Sequence, residues 1–194
     1  MKKFLNSSFL GICVVTSVAS TASSLSSAEN VAKSAVSSAA GVEESAKSMA
    51  SSVSSEDAFE EGLMLISETE KSMICFLDDV EDLLSSDFEE TARERFRLKM
   101  ERLAENNLVV VKSIESVDER LTEMKKREFY ELGYKVGKRL DSYAQKKLSR
   151  FFPSNGLQIS GLRYAYKDPN IPAEYRNQFK FISEVIDDVG KKYM

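Results

Sequence analysis

The stretch Phe96 to Met124, FRLKMERLAENNLVVVKSIESVDERLTEM, decides the fold. Phe96, Met100, Leu103, Asn107, Val110, Ile114, Val117, Leu121 and Met124 recur at alternating threes and fours, a heptad register that puts them on one face of an α-helix. Asn107 is the single polar member, a type of core residue that fixes pairing register at some cost in stability. After Lys125-Lys126-Arg127 the stripe resumes one position out of phase as Phe129, Leu132, Val136, Leu140 and Tyr143. No proline interrupts residues 87 to 150. The pattern therefore allows one long helix with a phase slip, or two helices broken near 125 to 128 or at Asn106-Asn107. Within the second stripe Gly133 and Gly137 form a small-xxx-small pair, which marks a close helix crossing or a weak point.

Upstream, Phe59, Leu63, Ile66, Met73, Leu77, Val80 and Leu84 form another stripe, with Glu70 filling one of its positions, and predict a helix over about 57 to 84. Ser85-Ser86-Asp87 offers turn residues and an N-cap for the next helix, with Glu89 and Glu90 in its first turn, where the helix dipole favours carboxylates. A single helix of 63 residues would run roughly 95 Å, beyond the ~42 Å of a 28-residue partner. Either the long segment folds back into a compact bundle, or its far end is covered by the preceding Ser/Ala-rich segment or by another chain; the bundle is preferred. Charge argues for antiparallel pairing. Residues 56 to 90 carry 13 Asp/Glu and one Lys, and residues 91 to 150 carry 16 Lys/Arg against 10 Asp/Glu. Exposed pairs are each worth at most about 1 kcal/mol, so this complementarity selects orientation more than it adds stability.

The chain divides into four parts. Residues 1–22 read as a signal peptide: Lys2 and Lys3 precede an apolar run from Phe9 to Ala19 broken only by Thr16 and Ser17. The run falls short of the about 20 apolar residues a membrane span needs. Small residues suit cleavage before Ser23 (Ser20, Ala22) or, at residue 28, before Glu29 (Ser26, Ala28). Lipidation at Cys13 is disfavoured by bulky Ile12 and by the apolar residues after the cysteine. A transit peptide and an uncleaved anchor are weaker readings of the same leader. The address expected is export, to a periplasm or outside the cell. Residues 23–55 hold 20 Ser or Ala in 33 and read equally as a linker or as a weak amphipathic helix, with Val31, Val42 and Val53 spaced by eleven. Residues 56–150 form the helical bundle or coiled coil.

Residues 151–194 are an aromatic-rich tail. Phe151-Phe152-Pro153-Ser154-Asn155-Gly156 ends the helix and turns the chain. Leu157, Ile159, Tyr164 and Tyr166 leave room for a short strand. Asp168-Pro169-Asn170-Ile171-Pro172 leads into a last helix with the stripe Tyr175, Phe179, Ile182, Ile186 and Val189, closed by Gly190 and Lys191-Lys192. The fold class expected is all-α: an antiparallel helical bundle or long, coiled-coil-like helical hairpin, with a short aromatic-rich tail ending in a helix.

Several chemistries are excluded or unsupported. The chain has no histidine, which removes Ser-His-Asp and Cys-His catalysis and imidazole ligation. No phosphate loop, metal-ligand spacing or nucleophile motif occurs, so no catalytic, cofactor or metal residue is expected. Asp78, Asp79, Glu81 and Asp82 are read as an acidic face, solvated or turned toward the basic second helix, in preference to a weak Ca²⁺ or Mg²⁺ contact. The basic runs Arg93 to Arg102 and Lys125 to Arg127 are interleaved with glutamates in a chain of pI near 5.2, which argues against nucleic acid. Once the leader is removed Cys75 is the only thiol, expected as a small buried hydrophobe with no internal disulfide.

The chemistry left to the chain is binding. Tyr164, Tyr166, Tyr175 and Phe179 are the candidate ligand or partner patch, against the blander reading that the tail aromatics cap a thin bundle. The expected function is an exported structural or protein-interaction module, contacting another protein or a second copy through its heptad stripes. Two rival readings are a membrane-surface or lipid binder, motivated by the repeat in 28–54, and a small-molecule binder using the tail.

Overall fold

The computed structural model describes residues 43–153 and 157–193, with side chains from Ser54 onward. The expected leader and both candidate cleavage positions lie outside the described residues. The elements are α1 (Glu43–Ser85), α2 (Glu90–Arg120), α3 (Glu123–Leu148), a 3-10 helix (Ile159–Lys167) and α4 (Ala173–Tyr193). Among the described residues there is no strand, and the helices pack on one another as a bundle.

Cross-helix partners give the topology. Asp79 meets Lys99 and Glu61 meets Arg120, so α2 runs antiparallel to α1. Glu56 meets Lys125, Glu70 meets Arg139, and Asp78 and Glu81 meet Lys147, so α3 returns parallel to α1. Lys192 reaches Glu101 and Tyr193 reaches Glu105, which lays α4 along the first half of α2. The chain thus goes up, down, up and down, and α1 is the shared member on which both α2 and α3 pack.

The long segment breaks at Leu121 and Thr122, neither of the two places that composition suggested. Both residues are extended, and helix α2 passes through Asn106-Asn107 without interruption. No helix breaker is needed because tertiary contacts hold the turn. Ser55 Oγ accepts from the Thr122 amide at 3.0 Å, Lys126 pairs with Asp118 at 3.7 Å, and Leu121 is buried. Met124 continues the heptad register yet is 75 % exposed, because the chain turns before reaching it. Asn107 is 2 % exposed, the buried polar position in the stripe.

Helix α1 starts at Glu43, well before the expected boundary, so the end of the Ser/Ala-rich segment is helical. Its inner face is Phe59, Ile66, Met73, Phe76, Leu77, Val80 and Leu84. Cys75 is exposed, which corrects its reading as a buried hydrophobe: the residues that turn inward around it are Met73, Phe76 and Leu77. Gly62 stands where α1 crosses its two neighbours. A Cβ there would lie 2.7 Å from Phe129 Cε2 and 3.1 Å from Val117 Cγ1. Gly133 and Gly137 are both buried in α3.

The α1–α2 connection carries backbone strain. Phe88 has φ 55°, the left-handed region that costs a residue with a Cβ about 1–2 kcal/mol. The Ser86 hydroxyl donates to Leu83 C=O at 2.8 Å and accepts from the Phe88 amide at 3.3 Å, closing the turn locally. Asp87 is not the cap of α2; Glu89 occupies that position without a side-chain cap. Packing offsets the strain, since the Phe88 ring meets Phe181 of α4 edge-on at 5.6 Å and Arg93 lies 5.4 Å from its centroid. Phe88→Ala and Phe88→Gly both remove the anchor, but only glycine relieves the backbone. Denaturant melts are expected to place Phe88→Gly above Phe88→Ala by about 1 kcal/mol.

The segment 159–167 is a 3-10 helix, not a strand. Ile159, Leu162 and Ala165 are its buried residues, spaced by three, which is the period of a 3-10 helix. Asp141 of α3 accepts from the Ile159 amide at 3.0 Å, and Arg163 pairs with Asp187 of α4.

Candidate functional site

The four tail aromatics do not form one patch. Phe179 is fully buried and stacks edge-on with Phe152 at 6.2 Å, and half-buried Tyr175 meets Phe151 at 4.9 Å and 88°. These two belong to the core that closes the bundle end. Tyr164 and Tyr166 sit on the 3-10 helix instead, Tyr164 at 55 % exposure and Tyr166 half-buried. Lys167 joins them, its Nζ 5.2 Å from the Tyr164 centroid and 5.5 Å from that of Tyr166, while the Arg163 guanidinium stands 5.8 Å from Tyr164. A cation over an aromatic face contributes about 0.5–1 kcal/mol at exposed sites. Two tyrosines and two cations thus share a short helix that is tied to both α3 and α4.

Three carboxylates of the α1 cluster are engaged within the chain. Asp78 receives Lys147 at 2.8 Å and the Tyr143 hydroxyl at 2.9 Å, Glu81 receives the same lysine at 2.8 Å, and Asp79 pairs with Lys99. Lys147 and then Tyr143 hold the Asp78 carboxyl below its ordinary value against the opposing effect of burial. Its contribution to stability is present above the unfolded-state pKa and lost as pH falls through the folded one. Beside the cluster lies a shallow groove of about 90 Å³, lined by Asp79, Asp82, Ser86, Arg95 and Lys99 over Leu83, Ala92 and Phe96. Arg93 and Arg97 of the basic run pair with Glu90 and Glu94, each one helical turn away.

At the other end of the bundle, Tyr130 donates to Asp118 Oδ1 at 2.5 Å. Burial first, and then this carboxylate, push the phenol well above its ordinary value near 10. Because the folded-state pKa exceeds the unfolded one, this contribution is complete below about pH 10 and declines as pH rises through the folded-state value. Hydrogen bonds to Asp78 and Glu105 raise Tyr143 and Tyr193 as well. Melting temperatures taken upward from about pH 8 are expected to fall on the alkaline side, and Tyr130→Phe flattens that fall without abolishing it.

Among the described residues no group of three His, Cys, Asp or Glu side chains is placed to hold a metal ion, and no helix is long and apolar enough to cross a membrane. The repeat that motivates a membrane-surface role lies outside the described side chains. In class the molecule is an antiparallel helical bundle carrying an aromatic and basic ledge at one end. The chain matches no family model, no curated protein and no solved structure.

Proposed function

We propose that the chain is an exported helical module that holds another protein against the ledge at residues 163–167. The observation that carries this reading is Tyr164, a large aromatic that is 55 % exposed on a segment anchored to two helices, with Arg163 and Lys167 beside it. Tyrosine and arginine are enriched at protein interfaces, tyrosine because its rigid ring offers large area with little rotamer entropy to lose and arginine because its planar guanidinium presents several donors. Lys167 adds a cation set against the two tyrosine rings, and this favours an acidic partner segment. Export rests on the Lys2-Lys3 pair and the apolar run from Phe9 to Ala19.

Affinity recovery from the native host, read by mass spectrometry, tests both parts. A co-purifying protein is expected whose yield drops at least tenfold with Tyr164→Ala combined with Lys167→Glu, an interface loss of about 1.4 kcal/mol or more. The mature N-terminus is expected at Ser23 or Glu29. Undiminished recovery by the double variant sinks the ledge, and an intact Met1 sinks export.

A further inference from the structure

The α2–α3 turn is two residues long, and nothing local in the sequence demands it. Between Glu90 and Leu132 there is neither glycine nor proline. Leu121 and Thr122 adopt φ −77°, ψ 142° and φ −69°, ψ 159°, and Thr122 offers no side-chain cap to α3. The first-turn amides of α3 therefore lack helical acceptors, which a continuous helix would supply from Glu119, Arg120 and Leu121. Met124 stands at the next stripe position after Val117 and Leu121 but is 75 % exposed. Moreover α3 lies along α1, so the surface it covers is equally available to the α3 of another molecule.

We propose that α3, the 3-10 helix and α4 exchange between two copies of this chain, with Leu121 and Thr122 joining α2 and α3 into one helix from Glu90 to Leu148. The contacts between the exchanged elements and the retained α1 and α2 are then remade across the copies, Glu70 with Arg139, Asp78 with Lys147 and Phe88 with Phe181, while pairs such as Glu61–Arg120 stay within one chain. The one-position slip between the two stripes turns the apolar face by about 100°. The two halves of the joined helix thereby face two different cores. A short connection between exchangeable elements is the usual route to such dimers. The exchange does not involve the ledge at Tyr164 and stands or falls apart from it.

Glu123→Pro separates the two forms. In the closed form residue 123 is the first helical position, where proline fits, and Thr122 already has the extended backbone that precedes proline. In the joined helix the same proline loses a hydrogen bond and meets the carbonyl of Glu119, a penalty of roughly 100-fold for each opened hinge. The full chain, refolded at low and at high concentration and sized by light scattering, is expected to form at high concentration a species of twice the 21.8 kDa of the chain. Glu123→Pro is expected to stay monomeric and to melt as the wild-type monomer does.

A second arm reports exchange directly. Gly62→Val crowds Phe129, and Phe129→Ala leaves a void at the same contact. When the two variants are refolded together, one junction of the mixed dimer combines both substitutions and the other contains neither. The mixture is expected to melt above either variant alone. A chain that is monomeric at every concentration, a dimer that persists in Glu123→Pro, or no gain on mixing overturns the proposal.

Discussion

Replacing Phe179 by alanine is expected to lower the melting temperature by roughly 10 °C. Phenylalanine-to-alanine changes in a core typically cost about 3–5 kcal/mol, the transfer of the ring plus the void it leaves, and a domain of this size loses about 2–4 °C per kcal/mol. Phe179 stands at the full end of that range because it is 0 % exposed and wedged against Phe152, with Ile182 and Leu162 also fully buried in the same core. Thermal unfolding followed by circular dichroism checks the value. Tyr164→Ala supplies the contrast: its ring is 55 % exposed, and surface substitutions of that kind stay within about 0.5 kcal/mol. If the two variants melted alike, the division of the tail aromatics into core and ledge would be wrong.

The second large effect is expected at Gly62, where valine should cost about 2 kcal/mol. Its Cβ would enter within 2.7 Å of a ring atom of Phe129, and the two branches would press further toward Phe129 and Val117. Neither neighbour has room to retreat, since Phe129 is 2 % and Val117 0 % exposed. Overpacking of this kind costs about 1–3 kcal/mol, and the helix gains less than about 1 kcal/mol when glycine is replaced. The interaction shows in a double-mutant cycle. Phe129→Ala should recover part of the loss in the Gly62→Val background, giving a favourable coupling of about 1 kcal/mol or more. Additive losses would place the Gly62 crossing elsewhere.

Periodicity carried most of the architecture. The stripe from Phe59 to Leu84 and that from Phe96 to Leu121 both turn inward, and the charge difference between the first helix and the two after it reappears as pairs such as Glu61–Arg120 and Glu70–Arg139. The pairing is antiparallel for α2 and parallel for α3, a distinction that total charge does not contain. The break at Leu121-Thr122 was illegible because tertiary contacts produce it: Ser55, 67 residues away in sequence, supplies the acceptor for Thr122. Gly62 was illegible for a related reason, since one glycine inside an apolar pattern says nothing of what crosses it. Cys75 shows where residue type misleads and phase does not: it stands off the stripe that contains Met73 and Leu77, and in that apolar run it faces outward while both stripe members are buried. The 3-10 helix did leave a trace in the three-residue spacing of Ile159, Leu162 and Ala165, which competes poorly with the β-branched and aromatic residues around it. Of the candidate patch, residue type pointed to the aromatics of the tail but could not sort the two that close the core from the two that stand outside it.

The central position of α1 has a kinetic side. Helical bundles usually fold fast because most of their contacts are local in sequence. In this chain Lys99 and Asp79 are 20 residues apart, whereas Arg139 lies 69 residues from Glu70, and Lys192 lies 91 from Glu101. Each longer closure costs chain entropy before its contacts repay it. The hairpin around Phe88 is thus the part the chain can close cheaply. The seating of α3 and α4 is therefore expected to make folding slower than in a bundle built only from neighbouring helices.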